Sequence, residues 1–306
     1  MKVLVATEKP FAEIAARKIK ELIDAAGYEA VFLENYKSAS EFASAVSDAD
    51  ALIVRSDIVS AELLDAAKRL KIVVRAGAGY DNLDLEACTR HNVVAMNTPG
   101  QNSNAVAELA FEMMLYMARS GFSGKSGTEL RGKTIGIHGF GNVGRYVAEI
   151  SGGFGMTVSA FDPYIAEDVI TGYGIRACKS AKELYSECQY ISLNIPFNKE
   201  TGSSVNYSLL SGMPVPAVLV NTARKEIIDE ESLLKMFAER PDFRYLSDVA
   251  PDCKALIEEK YSGRFLFTAK KMGAQTEEAN SNAGIAAINQ IVDYFKTGNQ
   301  KFRLNK

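Results

Sequence analysis

Residues 134–162, TIGIHGFGNVGRYVAEISGGFGMTVSAFD, decide the fold. The short β-rich run Thr134–His138 ends in Gly139-Phe140-Gly141-Asn142-Val143-Gly144. A helical pattern follows, with Val143, Val147 and Ile150 on one face, and a second apolar run, Val158–Phe161, ends in Asp162. This is a β-turn-α-β unit of the size a dinucleotide needs. Gly139 permits the tight turn, Gly141 lets backbone approach a pyrophosphate, and Gly144 lets helix and strand pack closely. The helix N-terminus supplies N–H groups and the positive end of its dipole to the phosphates. Asp162 lies 18 residues after Gly144, where a carboxylate accepts hydrogen bonds from the adenosine ribose. The bland alternative is a structural glycine turn with Asp162 as a strand-end cap. Under the functional reading a carboxylate repels a 2′-phosphate, and Pro163 and Tyr164 bring no cation to receive one, so NAD is expected rather than NADP.

Working outward, strand-like runs alternate with helical patterns. Val3–Ala6, Ala30–Leu33, Ala51–Val54, Ile72–Val74 and Val93–Met96 read as strands before the glycine turn. Tyr190–Leu193, Ala217–Asn221 and Tyr245–Val249 read as strands after it. Helices are expected over 12–26, 40–46, 61–70, 104–119, 181–186, 230–237, 254–260 and 284–295. Such alternation predicts an α/β protein with parallel sheets covered on both faces, here two doubly wound, Rossmann-like lobes. Ligands bind at the carboxyl ends of such strands. Those ends carry Arg55-Ser56 and Arg75-Ala76-Gly77-Ala78-Gly79, cationic or glycine-rich and suited to an anionic substrate. Surface ion pairing is the alternative reading of the two arginines. The broad apolar face of 104–119 suits burial between lobes or a subunit interface.

Composition closes off several classes. The 306 residues suffice for two domains with a core each. Lys plus Arg is 35 against 38 Asp plus Glu, a net charge of −3, so no basic surplus points to nucleic acid or an anionic membrane. Cys88, Cys178, Cys188 and Cys253 lack metal-type spacing, and reduced thiols are expected, with no metal. No apolar run suits a signal peptide or membrane span, so a cytoplasmic protein is expected. Only two histidines occur. His138 ends a strand and His91 sits in a polar turn, so both read as structural, and proton chemistry falls to another residue type.

Taken together, RAGAGYDNLDLEA (75–87), MNTPGQNSNAVAEL (96–109), the glycine turn, LVNTARKEIIDE (219–230), SDV (247–249) and MGAQTEEA (272–279) make the chain resemble the NAD-dependent D-2-hydroxyacid dehydrogenases over nearly its whole length. The resemblance is strongest to the phosphoglycerate branch, through RAGAGYDN and TPGQNSNAVAE. It implies an active-site cleft between a substrate (catalytic) domain, 1–98 plus 282–306, and an NAD-binding domain, 99–281. It also implies a homodimer and hydride transfer from the substrate C2 to NAD, here oxidation of D-3-phosphoglycerate to 3-phosphohydroxypyruvate at the start of serine synthesis.

Carried over residue by residue, the resemblance makes Arg224 the grip on the substrate carboxylate and hydroxyl oxygen, a bidentate task that suits a guanidinium. It makes Gly139, Gly141, Asn142, Val143, Gly144 and Asp162 the phosphate and ribose contacts, with Ala78, Ile195, Thr222, Asp248 and Gly273 as further cofactor contacts. Gly77 and its neighbours would offer N–H groups to the substrate carboxylate, while Arg55, Arg75 and Asn102 fall where phosphoglycerate-specific contacts lie.

Two positions depart from the family. Its catalytic histidine is Lys271 here, and its partner glutamate is Cys253, beside Asp252. Either the enzyme is inactive or the base has been replaced; because that glutamate exists to tune a histidine, loss of both favours Lys271 as the replacement acid/base. Burial, with Arg224, Lys270 and the oxidised nicotinamide nearby, would lower its pKa. The chain stops at Lys306, soon after the last helix, so no serine-binding regulatory domain is expected. A hydroxypyruvate or glyoxylate reductase is the enzymatic alternative, and an NADH-sensing binding protein the non-enzymatic one.

Overall fold

The computed structural model describes residues 1–306 and divides them into two compact units, Met1–Asn102 with Gln275–Lys306, and Ser103–Ala274. The first unit runs β1 (Lys2–Thr7), α1 (Glu13–Ala25), β2 (Glu29–Glu34), α2 (Ala39–Val46), β3 (Ala51–Val54), α3 (Ala61–Ala66), β4 (Ile72–Arg75), α4 (Leu85–Arg90) and β5 (Val94–Asn97). The second runs α5 (Ser103–Ala118), β6 (Thr134–His138), α6 (Asn142–Gly153), β7 (Thr157–Phe161), α7 (Glu167–Thr171), β8 (Arg176–Ala177), α8 (Ala181–Glu187), β9 (Tyr190–Leu193), α9 (Tyr207–Leu210), β10 (Val218–Asn221), α10 (Glu230–Glu239), β11 (Arg244–Ser247), α11 (Lys254–Lys260) and β12 (Phe265–Phe267). The chain then returns to the first unit as α12 (Glu277–Thr297).

Both sheets are parallel throughout, in the orders β2-β1-β3-β4-β5 and β12-β11-β10-β9-β6-β7-β8. Strand side chains alternate between faces, so each sheet feeds two cores. Along β1, Val3 and Val5 join Ile19, Ile23, Ile288 and Ile291 from α1 and α12, while Leu4 and Ala6 join Phe42, Val46 and Leu64 from α2 and α3. Along β10, Val218 and Val220 face the core containing Met114 and Val147, while Leu219 faces Phe237 and Leu184. Strands buried on both faces read as continuous apolar runs, which is why they were legible in sequence.

Helix starts follow from side-chain caps. Ser38, Ser60, Asp84, Ser180, Asn206, Asp229 and Thr276 each accept a first-turn N–H of the helix that follows. α12 begins at Glu277, a full two turns before the expected Gly284, because Thr276 caps it there. Gly284 then lies inside the helix, where a Cβ would come within 2.5 Å of Ile19 on α1, so the small residue sets how closely the two helices approach. No helix is long and apolar enough to cross a membrane.

Candidate functional site

In a parallel sheet all carboxyl ends share one edge. In the second unit that edge gathers Gly139 after β6, Asp162 after β7, Ile195 after β9, Thr222 and Arg224 after β10, Asp248 after β11, and Lys271 and Gly273 after β12. The strand order reverses between β9 and β6, the place where open α/β sheets leave a ligand crevice.

The glycine turn has the sterics its spacing predicts. Gly139 has φ +95°, and a Cβ there would lie 2.9 Å from the backbone of Asn194 and Ile195. At Gly144 a Cβ would sit 2.2 Å from the Gly139 carbonyl oxygen, so α6 can lie against β6 only without one. Around Gly141 the corresponding space is open, and Gly141 and Asn142 are exposed at the start of the twelve-residue α6, with half-buried Val143 next. The Asp162 carboxylate accepts the N–H of Phe140 at 2.8 Å and of Tyr164 at 2.9 Å, tying the β7 end to the glycine turn. Two oxygens with about four lone-pair sites retain capacity for a ribose hydroxyl. Ile195 and Thr222 are both buried.

The Arg224 loop is held by Asn221, which is fully buried. Its Oδ1 accepts the Ala223 N–H at 2.9 Å, and its Nδ2 donates to the Arg224 carbonyl at 3.0 Å. The half-buried Arg224 side chain donates from Nη1 to the Ala223 carbonyl. Asp248, also buried, accepts from Thr268 Oγ1 and the Met272 N–H through Oδ1, and from the Gly273 N–H through Oδ2. The turn after Lys271 is thereby fixed to the end of β11. Lys271 itself is exposed.

Cys253 and Asp252, where the family has its glutamate, lie beside Glu230 and Lys225. Burial, and then the Glu230 carboxylate, push the Cys253 thiol up to about 12, which keeps it protonated at neutral pH. Asp252 is ion-paired with Lys225. Glu230, at the first position of α10, accepts the N–H groups of Asp252 and Cys253 at 2.6 and 2.9 Å and so fixes the chain just ahead of α11. Sequence reasoning passed over Glu230, whose only signal is an acid in a helix first turn.

The first unit gathers Arg55 after β3, Arg75 at the end of β4 and Gly77 and Ala78 just beyond it. Asn102 follows the turn after β5. The Arg55 guanidinium donates to the Lys9 and Pro10 carbonyls at 3.0 and 3.1 Å and to Asn280 Oδ1, and lies over the Phe11 ring. Burial lowers its pKa, against the attraction of Asp57. Arg75 Nε donates to the Arg55 carbonyl at 2.9 Å. The Gly77 N–H is donated to Thr98 Oγ1 at 2.7 Å, and the neighbouring N–H groups are those of Ala78 and Gly79. Gly77 has φ +147°, and a Cβ would coincide with the Arg75 guanidinium, so the glycine makes room for Arg75 to fold over its own loop. Asp57 was not anticipated. It is buried and accepts from the N–H of Glu8 and Arg55 and from Tyr36 Oη, pinning the ends of β1 and β3 together.

Both histidines are held in structure. His138 is buried, its Nδ1 lies 3.2 Å from Tyr185 Oη, and burial lowers its pKa to about 4 against the attraction of Asp162. His91 caps the end of α4 with Nε2 3.3 Å from Asp65.

Known proteins resemble this arrangement closely. A D-3-phosphoglycerate dehydrogenase of Rattus norvegicus is 34% identical over 295 residues, covering 90% of this chain and 54% of the relative. The chain thus spans about half the length of the curated D-3-phosphoglycerate dehydrogenases it matches. A hydroxypyruvate reductase of Thermotoga maritima is 34% identical over 272 residues, covering 82% of this chain and 86% of the relative. The crystal structure of an NAD⁺-bound 3-phosphoglycerate dehydrogenase of Entamoeba histolytica superposes with a TM-score of 0.89 at 47% identity, covering 100% of this chain and 99% of that one. The structure of a D-2-hydroxyisocaproate dehydrogenase, at 18% identity and a TM-score of 0.84, shares the fold. Residues 5–305 match the family profile "D-isomer specific 2-hydroxyacid dehydrogenase, catalytic domain", and the chain belongs to that family.

Proposed function

We propose that the protein is an NAD-dependent dehydrogenase that interconverts D-3-phosphoglycerate and 3-phosphohydroxypyruvate. The observation that carries the reading is the full-length, 47% identical likeness to the NAD⁺-bound Entamoeba histolytica 3-phosphoglycerate dehydrogenase. The glycine turn with Asp162 and the Asn221-held Arg224 loop on one sheet edge support it.

NAD supplies the hydride acceptor. The first-turn N–H groups of α6, at Asn142, Val143 and Gly144, bind the pyrophosphate, and Asp162 the adenosine ribose. Ile195, Thr222, Asp248 and Gly273 frame the remainder. Arg224 binds the substrate carboxylate and C2 oxygen through its planar fork, orienting the C2 hydrogen. Lys271 takes the hydroxyl proton as hydride leaves C2, and returns it to the ketone oxygen in reduction. Arg75 and Arg55, with Asn102 and the N–H groups of Ala78 and Gly79, bind the phosphate and carboxylate ends. Since Arg55 already holds Lys9, Pro10 and Asn280, it contributes its remaining N–H groups and the field of its charge. The unit Ser103–Ala274 is the NAD-binding domain, and the protein works as a homodimer.

Spectrophotometric NAD reduction with D-3-phosphoglycerate, set beside hydroxypyruvate, glyoxylate, D-lactate and 3-phosphohydroxypyruvate in their respective directions, tests the reading. Preference for the phosphorylated pair supports it. Preference for hydroxypyruvate would instead favour the reductase reading, to which the Thermotoga maritima relative gives weight.

A further inference from the structure

Tyr245, Ser247 and Asn221 are buried completely on the neighbouring strands β10 and β11, and their polar atoms form a chain. Asn221 Nδ2 lies 3.2 Å from Tyr245 Oη, Tyr245 Oη lies 3.2 Å from Ser247 Oγ, and Ser247 Oγ lies 2.6 Å from the Val249 carbonyl oxygen. Counting donors orders it. One amide hydrogen of Asn221 goes to the Arg224 carbonyl and the other to Tyr245 Oη. The phenol hydrogen goes to Ser247, and the serine hydrogen to Val249, whose own N–H returns to Ser247 Oγ at 3.2 Å. The serine hydroxyl also lies 3.3 Å from the Asn221 backbone carbonyl oxygen, so the chain closes back on the residue where it begins. Burial pushes the Tyr245 phenol up to about 12, which keeps its hydrogen in place at working pH. The ring is wedged edge-on against Phe267 of β12, at a centroid separation of 5.7 Å.

We infer that Tyr245 and Ser247, acting through Asn221, are positioning residues that hold the Arg224 loop in its substrate-binding shape. Asn221 is the one side chain that grips both the Ala223 N–H and the Arg224 carbonyl. An amide held only by these two would keep one buried N–H without a partner and could turn to seek one. Tyr245 takes that hydrogen and so fixes the amide's plane. The Asp248 N–H donates to the Asn221 carbonyl at 3.0 Å, so the same residue also registers the strand end that carries Asp248. The inference rests on Arg224 being the substrate-carboxylate anchor.

The test combines hydrogen exchange with a double-mutant cycle. Tyr245→Phe keeps the ring packing and removes only the hydroxyl; Ser247→Ala breaks the far end of the chain and serves as the second variant should the first not fold. Either should speed exchange of the Ala223 amide by about tenfold or more, the scale of one net hydrogen bond, with thermal unfolding little changed. Tyr245→Phe should also lower kcat/KM for the hydroxy acid about tenfold, through KM, while NAD affinity stays within about twofold. In an Arg224→Gln background that loss should shrink below about twofold, because the hydroxyl acts through Arg224. Unchanged Ala223 exchange, or an equal loss in both backgrounds, overturns the inference. If the unmodified protein reduces NAD with none of the hydroxy acids, the proposed function fails, and the Ala223 exchange rate still decides whether the chain orders the loop.

Discussion

The Asp248 carboxylate holds Gly273: Oδ2 accepts its N–H at 2.8 Å, while Oδ1 accepts that of Met272 at 2.6 Å. Two backbone bonds on the residues directly after Lys271 make Asp248 the part of the second unit that sets where the lysine's loop begins. A Cβ on Gly273 would come within 3.0 Å of Asp248 and 3.2 Å of Val106 on α5, so the glycine lets the loop sit that close. Asp248→Asn should therefore disturb the loop without emptying the site. Its amide can accept only one of the two N–H groups, and the other faces an NH₂. Leaving one such buried group unsatisfied costs about 1–3 kcal/mol. The expected result is a lower unfolding temperature and a reduced kcat, rescued poorly by excess NAD. An Asn variant with unchanged kcat would show that the loop is held by other means.

Asp162 ties the glycine turn to the end of β7 and is proposed to hold the adenosine ribose as well, and its variants should reveal both. Asp162→Ala removes the carboxylate that disfavours a 2′-phosphate and the acceptor for the Phe140 and Tyr164 N–H groups. The NAD/NADP ratio of kcat/KM should narrow sharply, and NAD itself should bind more weakly because the glycine turn loosens. Steady-state kinetics with the two cofactors decide it. Equal use of both by the unmodified protein would end the ribose-carboxylate reading.

Much of this arrangement was legible in the sequence. The buried parallel strands announce themselves as apolar runs, and Thr134–His138 and Tyr190–Leu193 have the bounds the pattern predicts. The glycine turn was legible because steric demands at Gly139 and Gly144 admit almost no other residue. Short elements such as α4, α7, α9 and β12 were not, since three to six residues carry too few periods to register. The start of α12 was missed because its first two turns, EEANSNA, are polar and only the Thr276 cap marks them. Asp57, Glu230 and Tyr245 were also missed. Each works by binding groups distant in sequence, as when Tyr36 and Glu8 meet on Asp57, and no local pattern records that.

His138 makes an acid-side stability prediction. Its folded pKa, about 4, is depressed by burial below the value of 6.5 for an unperturbed imidazole. Between those values the unfolded chain binds the extra proton, so stability falls as pH drops from about 6.5 toward 4 and is fully present above that window. The contribution is about 3 kcal/mol, less whatever residual burial the unfolded chain keeps. His138→Gln keeps an acceptor for Tyr185 Oη and removes the titration. Urea unfolding at pH 7, 6 and 5 should show a shallower decline for the variant. Parallel declines would mean that His138 relaxes to solvent when protonated.

Lys271 is the proposed acid/base, and its exposure shapes the prediction. A lysine ammonium can only donate a proton, and the amine left on its deprotonation is the acceptor, so rising pH favours the accepting form. Reduction of the keto acid needs a donor, whereas oxidation of the hydroxy acid needs an acceptor. Reduction should therefore outpace oxidation near pH 7, and oxidation should rise with pH into the alkaline range. Lys271→Ala should lower kcat by about 10²–10⁴, the range for losing a general acid/base, while NAD titrations stay unchanged. Lys271→Arg should fail about as badly, because a guanidinium keeps the charge but does not release its proton. Histidine separates chemistry from placement. Lys271→His introduces a group that titrates at ~6.5, so any activity it restores should show an oxidation limb moved to lower pH. The alternative is a lysine that only decorates the loop, with Asp248 and its two backbone bonds giving the loop its shape. In that case Ala and Arg variants would both retain near-normal kcat and the same pH profile, and the proton would have to be carried by another group.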